Sequence, residues 1–329
     1  MSDAYIVSAV RTPVGRAFKG GFRNYRPDDL LAHALKEALN EVPNLDPARI
    51  EDVIVGCAMP EAEQGMNVAR IGALLAGLPE TVPGVTVNRF CSSGLQTIAM
   101  AADRIRTGDA DVMIAAGTET MTMVPMMGHK VAMNPKVFDD EHVGIAYGMG
   151  ITAENVASQW KVSREDQDAF AYASHQKAIH AIDNGLFPEV RPVTVTSHQP
   201  DFHSGAIKAN EFVIEHDEGP RRDTTVEALS KLRPVFNAKG SVTAGNSSQM
   251  SDGAAALILV SERVVNELKL EPLGVFRGFS VAGVPPEIMG IGPIEAIPRV
   301  LKQTGIAQQD IDWFELNEAF AAQSLAVIR

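Results

Sequence analysis

Cysteine is nearly absent: the 329-residue chain has only Cys57 and Cys91. Two cysteines cannot build a disulfide framework, and no Cys/His cluster has zinc-ligand spacing, so a reducing compartment and no bound metal are expected. Long apolar runs are missing too. Nothing approaches the roughly 18 consecutive apolar residues of a membrane-spanning helix, so no membrane span is expected. The amino terminus reads AYIVSAVRTP, a strand pattern without the basic segment and apolar stretch of a secretory leader, which points to the cytoplasm. Basic residues are the minority, 29 Lys and Arg against 41 Asp and Glu, for a net charge of −12. That balance argues against nucleic acid as a partner, because phosphate backbones demand a basic surface. A small polyanion needs only a local patch. Arg221, Arg222, Lys231 and Arg233 supply one within EGPRRDTTVEALSKLRP, where a solvated charged loop beside Glu218, Asp223 and Glu227 is the competing reading.

What is present is ordinary globular composition, 45% hydrophobic and 21% charged, at a length suited to about two domains. The first third alternates strand and helix: strand over 4–10, helix over 28–39, strand over 53–57, helix over 66–78, strand over 84–87, a helix after Cys91, and strand over 112–116. Such alternation implies an α/β layer fold. The same grammar restarts late, with a strand from Leu273, a helix over 294–304, a strand over 311–316 and a helix in AFAAQSLAVIR. We read this as an internal duplication of two similar α/β halves. Residues 120–247 differ in texture, being rich in Met and Gly, with helices expected over 152–160 and 164–184 and extended pieces over 190–196 and 212–216. Ser163 with Asp166 suits a helix start, and Asn184-Gly185 a helix stop. This segment has the character of an inserted lid. SDGAAALILVSE, over 251–262, returns to buried-strand character and is expected to join the first half's sheet.

The most informative local feature is GVTV running into NRFCSSGL and then into a helical pattern. Leu95, Ile98, Ala99, Ala102 and Ile105 recur at helical spacing, and Gly108 stands where a left-handed residue would end the helix. Cys91 thus falls at the turn where a helix begins, with Ser92 and Ser93 suited to the first turn. A helix N-terminus favours an anion, which makes a thiolate there easier to form than in a free cysteine. The pattern leaves open a small, buried, unreactive thiol. Cys57, in VIVGCAMP, reads as strand-end packing.

NRFCSSGLQ around Cys91, AGTETM over 116–121, MGITAENVA over 149–157, VTAGNSSQMSDGAAA over 242–256 and ELNEAFAAQ over 315–323 together resemble the thiolases in order and spacing. PPEIMGIGP, over 285–293, adds likeness to the degradative 3-ketoacyl-CoA type. The resemblance covers nearly the whole chain. It implies a thiolase-like α/β fold with a first half over 1–119 plus 248–271, a lid that binds coenzyme A over 120–247, and an incomplete second half over 272–329.

It also implies chemistry. The cysteine matching Cys91 attacks the 3-keto carbon of a 3-ketoacyl-CoA in β-oxidation, acetyl-CoA leaves as its enolate, and the acyl group waits on sulfur for a second CoA thiol. The asparagine matching Asn317 holds a water that stabilises a thioester oxyanion, a type of donor worth about 3 kcal/mol. Ser248 matches a serine on the pantetheine arm and Arg221 an arginine beside the adenine nucleotide. Met149, Phe236, Met289, Ala319 and Phe320 match the apolar channel. Gly148 stands where short-chain biosynthetic relatives often carry histidine, which leaves room for a longer acyl tail. Coenzyme A is then a substrate with no permanently bound cofactor. The expected partners are acyl-CoA, a second copy in a homodimer or homotetramer, and a β-oxidation multienzyme partner.

The family's catalytic histidine and second cysteine, in GHP-like and CxGGG-like motifs, have no counterpart up to Arg329. The expectation is therefore a truncated second half and a chain inactive as it stands. Two other acyl-CoA readings remain: an acetoacetyl-CoA-forming acetyl-CoA acetyltransferase, and a non-catalytic thiolase-fold protein that binds coenzyme A or a subunit. A synthase acting on an acyl carrier protein is disfavoured by GNSSQMSDGAA and the large lid.

Overall fold

A computed structural model describes residues 3–200, 203, 205 and 207–329. In chain order its elements are β1 (Ala4–Arg11), β2 (Gly15–Arg16), α1 (Pro27–Asn40), β3 (Asp52–Gly56), α2 (Val68–Leu75), β4 (Gly84–Val87), α3 (Ser93–Thr107), β5 (Val112–Thr120), α4 (Met149–Gln159), α5 (Arg164–Asp183), β6 (Val193–Pro200), β7 (Ile207–Ile214), α6 (Val226–Ser230), β8 (Ser251–Ser261), α7 (Glu262–Leu268), β9 (Gly274–Val275), α8 (Gly292–Thr304) and α9 (Ala321–Ile328). They fall into two compact units. The first comprises Met1–Val131, Phe187–Gly219 and Met250–Phe276, and the second Ala132–Leu186, Pro220–Gln249 and Arg277–Arg329.

The first unit is built on a mixed sheet of order β4-β3-β5-β8-β1-β9, with β2 on β8. β4, β3 and β5 are parallel neighbours, joined by the crossover helices α2 and α3. β8 is antiparallel to both β5 and β1, so the expectation that 251–262 joins the first sheet is met at its centre. Strand alternation divides the core. Val53, Val55, Ile114 and Ala116 pack with Leu30, Leu31 and Leu35 of α1 and Val68, Ala69 and Ala73 of α2, while Ile54, Met113 and Ala115 pack with Ala101, Ala102 and Ile105 of α3. Both faces of these strands are covered, which is why their sequence reads as unbroken apolar runs. α1 starts where Pro27, Asp28 and Asp29 suit a first turn, and α3 stops at Gly108, with φ 82°.

The second unit is helical around two apolar clusters. Ala153 and Ala157 of α4 meet Val242 and Ala322, and Val156 meets Val162, Ile291 and Ala326. Ser163 caps α5 by accepting from the Asp166 N–H at 3.1 Å, and Gly185 follows with φ 64°, as the sequence suggests.

The expected strand over 311–316 does not form: the stretch has no ladder, and Trp313 and Phe314 are 78% and 54% exposed. An extended segment becomes a strand only where a neighbouring backbone pairs with it, and among the described residues none does. The strand expected from Leu273 is the two-residue β9, which pairs with β1 in the first unit's sheet.

Gly56 at the end of β3 shows how closely the layers approach. A Cβ there would lie 2.7 Å from both the carbonyl carbon and the Cβ of Ser93, and 2.9 Å from the Gly94 nitrogen, at the start of α3. Those are mostly backbone atoms, which cannot swing aside. Gly56→Ala should lower unfolding stability by about 1–3 kcal/mol, read from the urea midpoint at unchanged denaturant slope.

Candidate active site

The parallel ladder aligns Gly56 with Val87 and with Gly117, so β3, β4 and β5 end at one rim. In open α/β sheets, ligands gather outside such carboxyl ends. Leaving β4, the chain makes a tight turn through Asn88, Arg89, Phe90 and Cys91 before α3 begins at Ser93. Cys91 therefore lies two residues upstream of the helix, and its thiol is exposed. The turn is strained, since Phe90 adopts φ 44°, a conformation costing a bulky L-residue about 1–2 kcal/mol. Specific bonds hold it. The Ser93 hydroxyl accepts from the Arg89 N–H at 2.9 Å and donates to the Phe90 carbonyl at 2.6 Å, while Asn88 Oδ1 accepts from the Phe90 N–H at 2.7 Å. Ser92 is the N-cap but makes no side-chain cap bond, and Ser93 bonds back into the turn. The serines thus brace the cysteine turn where the sequence had suggested ordinary places in the helix.

Behind the turn lies Glu119, near the end of β5. Its carboxylate accepts from the Ala58 N–H at 2.7 Å, from the Gln64 amide, and from the Cys57 thiol at 3.9 Å. Burial pushes the Glu119 carboxyl above its usual range, and its hydrogen-bond donors pull part of the way back. Burial first, and then the Glu119 charge, push the Cys57 thiol up to about 12. Cys57 is packed in the apolar core, as its strand-end sequence suggests.

The second unit brings together most of the other expected residues. The buried Glu154 carboxylate accepts from the Ser241 and Val242 N–H groups. Asn246 donates to Asp168 at 2.9 Å and accepts from the Thr243 N–H at 2.8 Å. So braced, the loop presents Ser248, whose N–H donates to the Ala319 carbonyl at 2.9 Å. Phe236 meets Phe320 edge to face at 6.2 Å and packs on Gly150, the residue after Met149. Asn317 is exposed two residues before Ala319, and Met289 is exposed on the 3-10 turn Pro286–Ile291. Arg221 is tied differently. Its guanidinium donates to Asp223 and its N–H to His175 Nδ1, and Arg222 bridges to Asp183, so these two cations of the basic patch face acids of the same unit. Burial, and then the Arg221 charge, hold the His175 imidazole below its usual range. The neighbouring Ser174 donates to Glu318 at 2.5 Å, so one turn of α5 braces both the Arg221 loop and the NEAF segment. Ser174, His175, Glu119 and Asn88 are contacts sequence reasoning did not single out, although Asn88 and Glu119 stand inside motifs it quoted.

The profile described as "Thiolase, N-terminal domain" matches residues 4–263, and that described as "Thiolase, C-terminal domain" matches residues 270–329. The chain belongs to the thiolase family. Among its relatives, the 3-ketoacyl-CoA thiolase of Bacillus subtilis (strain 168) is 53% identical, an alignment covering 100% of this chain and 84% of that protein. Two crystal structures share the fold. The Bacillus anthracis acetyl-CoA acetyltransferase superposes with a TM-score of 0.87 at 38% identity, and the dimeric peroxisomal thiolase of Saccharomyces cerevisiae with 0.86 at 41%; each match covers 99% of this chain and 82% of the other. Both domains of the family are matched, so truncation of the second half is not evident.

Among the described residues no cluster of three or more His, Cys, Asp or Glu could hold a metal, and no helix is long and apolar enough to cross a membrane. Cys91 is exposed, whereas Cys57 is buried and its thiol is pushed up to about 12. A thiol reagent at neutral pH should label Cys91 in the native thiolase and reach Cys57 only after unfolding, as peptide mapping would show; equal native labelling would contradict this packing.

Proposed function

We propose that the chain cleaves 3-ketoacyl-CoA thiolytically, with Cys91 as the nucleophile. As a thiolase it is an acyltransferase of the acetyl-CoA C-acyltransferase type. The observation that carries the reading is an exposed cysteine on a strained, braced turn at the carboxyl rim of three parallel strands, with the N-terminus of α3 next to it. The Cys91 thiolate adds to the 3-keto carbon, and the bond between C2 and C3 then breaks. Its electron pair leaves with C2 as the enolate of acetyl-CoA, which takes up a proton. The shortened acyl group stays on sulfur as a thioester. A second CoA thiol gives up its proton, adds to that thioester carbonyl and expels the Cys91 thiolate, which restores the enzyme. Splitting the transfer at sulfur replaces one hard step by two easier ones.

Ser248, Ala319, Phe320, Phe236, Met149 and Met289 fit the pantetheine arm and acyl chain, because they combine an exposed hydroxyl with apolar side chains. Asn317 fits the water that stabilises an oxyanion. Arg221 would exchange Asp223 for a nucleotide phosphate. The B. subtilis relative's name supports the degradative reading within β-oxidation. The name of the B. anthracis structure supports a second direction, condensation of two acetyl-CoA, which passes through the same acetylated cysteine. A cytoplasmic homodimer or homotetramer suits this reading, since the yeast relative is described as dimeric.

Incubation with acetyl-CoA or a 3-ketoacyl-CoA should add an acyl mass to the Cys91 peptide, and Cys91→Ala should abolish it. An adduct on Cys57 would overturn the assignment. CoA binding without any adduct would favour the non-catalytic reading. Arg221→Ala should weaken CoA binding about fivefold, close to 1 kcal/mol for an exposed ionic contact, by calorimetry, while acylation at saturating acyl-CoA stays near the parent rate.

A further inference from the structure

The bonds around Cys91 continue backwards into the sheet. Glu119 on β5 takes the Ala58 N–H at 2.7 Å, the carbonyl of the same Ala58 takes the Asn88 side-chain amide at 3.0 Å, and the Asn88 Oδ1 takes the Phe90 N–H at 2.7 Å. Glu119 lies near the end of β5, which runs past the ends of β3 and β4, and Ala58 and Asn88 follow those two strands, so one relay links β5, the residue after Cys57 beyond β3, and the turn after β4. Gln64 locks the far end. Its amide donates to Glu119 and to the Met59 carbonyl at 2.9 Å, its oxygen accepts from the Thr120 N–H at 2.9 Å, and its side chain is fully buried. The two bonds together suit an amide at position 88, whose oxygen accepts from Phe90 while its nitrogen donates to Ala58.

We propose that Asn88 is the positioning residue of the nucleophile, holding Phe90 in its left-handed conformation so that Cys91 meets the acyl carbon, and that Glu119 anchors Asn88 through the Ala58 peptide. This rests on Cys91 being the acylated residue. The side-chain bonds of Asn88 go to Ala58 and Phe90. Its effect passes through Phe90, an exposed aromatic in a conformation it would leave if the bond to its N–H were lost. A thiol displaced by an ångström still meets a small alkylating reagent but misses an acyl carbon fixed by a bound coenzyme.

The test separates those two abilities in the full chain. Asn88→Ala should slow acylation of Cys91 by acetyl-CoA at least tenfold, leave its alkylation by iodoacetamide within about twofold, and raise hydrogen exchange at the Phe90 amide. Asn88→Asp keeps the acceptor for Phe90 and loses the donor to Ala58, so it should recover the amide protection and part of the acylation rate. Glu119→Gln should slow acylation with alkylation unchanged, because a donor that now meets a carboxylate oxygen then faces an amide nitrogen. Unchanged Phe90 exchange in Asn88→Ala overturns the proposal whatever the enzyme does, as does loss of acylation and alkylation together with a lowered melting temperature. If the parent chain takes no acyl group, the proposed function fails, and the positioning claim stands or falls on the exchange data from Asn88→Ala and Asn88→Asp.

Discussion

The common register of three parallel strands is the constraint on which the first unit depends. Gly56 pairs with both Val87 and Gly117, so β3 and β4 stop level while β5 runs on to Thr120 beside β8, and the chain leaving β3 and β4 passes along the end of β5. Every feature of the cysteine turn follows from that alignment. α3 can start close to β3 only because Gly56 has no side chain. The Ala58 peptide lies between Glu119 and Asn88 because the chain beyond β3 continues alongside the end of β5 on one side and the turn after β4 on the other. A slip of one strand by a single residue would reverse which side chains face each layer and would separate these groups.

The second unit shows a different solution to placing polar groups. Glu154, Asp168 and Asn246 are buried, yet each has partners, so they define a loop rather than weaken a core. Gly240 and Gly245 allow that loop to close, with neighbouring side-chain atoms within 2.6 Å of where a Cβ would sit. The exposed Ser248 is therefore positioned by buried groups several residues away.

Much of this was legible in the sequence because local and tertiary signals agreed. The apolar runs at 53–57 and 112–116 became the central strands, and the spacing of Ala99, Ala102 and Ile105 became the buried face of α3. Residues 251–262 read as a buried strand because both their faces are covered. Residues 311–316 were misleading, since Ile311, Phe314 and Leu316 have strand composition but no pairing backbone among the described residues. Composition reports the wish to be extended, whereas a ladder requires a neighbour. At the site, Cys91 was readable from the strand-to-helix turn. The working parts of NRFC and GTET were not: the bonds of Asn88 and Glu119 run through the peptide of Ala58, and a backbone group leaves no mark on residue identity. The pairing within the basic patch was not legible for a related reason, because sequence counts charges without showing that Arg221 and Arg222 face Asp223 and Asp183.

The place of β8 has a consequence for the order of biogenesis. β1 lies far ahead of β8 in the chain, yet among the described residues its partners in the sheet are β8 and β9, and β8 lies between it and β5. At a synthesis rate of about 5–20 residues per second, β1 waits roughly 13–50 s for its partner to be translated. During that interval Val7 and Val10, buried in the finished core, have no sheet to enter. The parallel strands β3, β4 and β5, made in close succession with their crossover helices, can assemble meanwhile, with the future β8 edge of β5 open. From the completion of β5 until β8 is made, the nascent chain thus carries an unfilled slot in its sheet, and the length of that interval is set by topology rather than by stability.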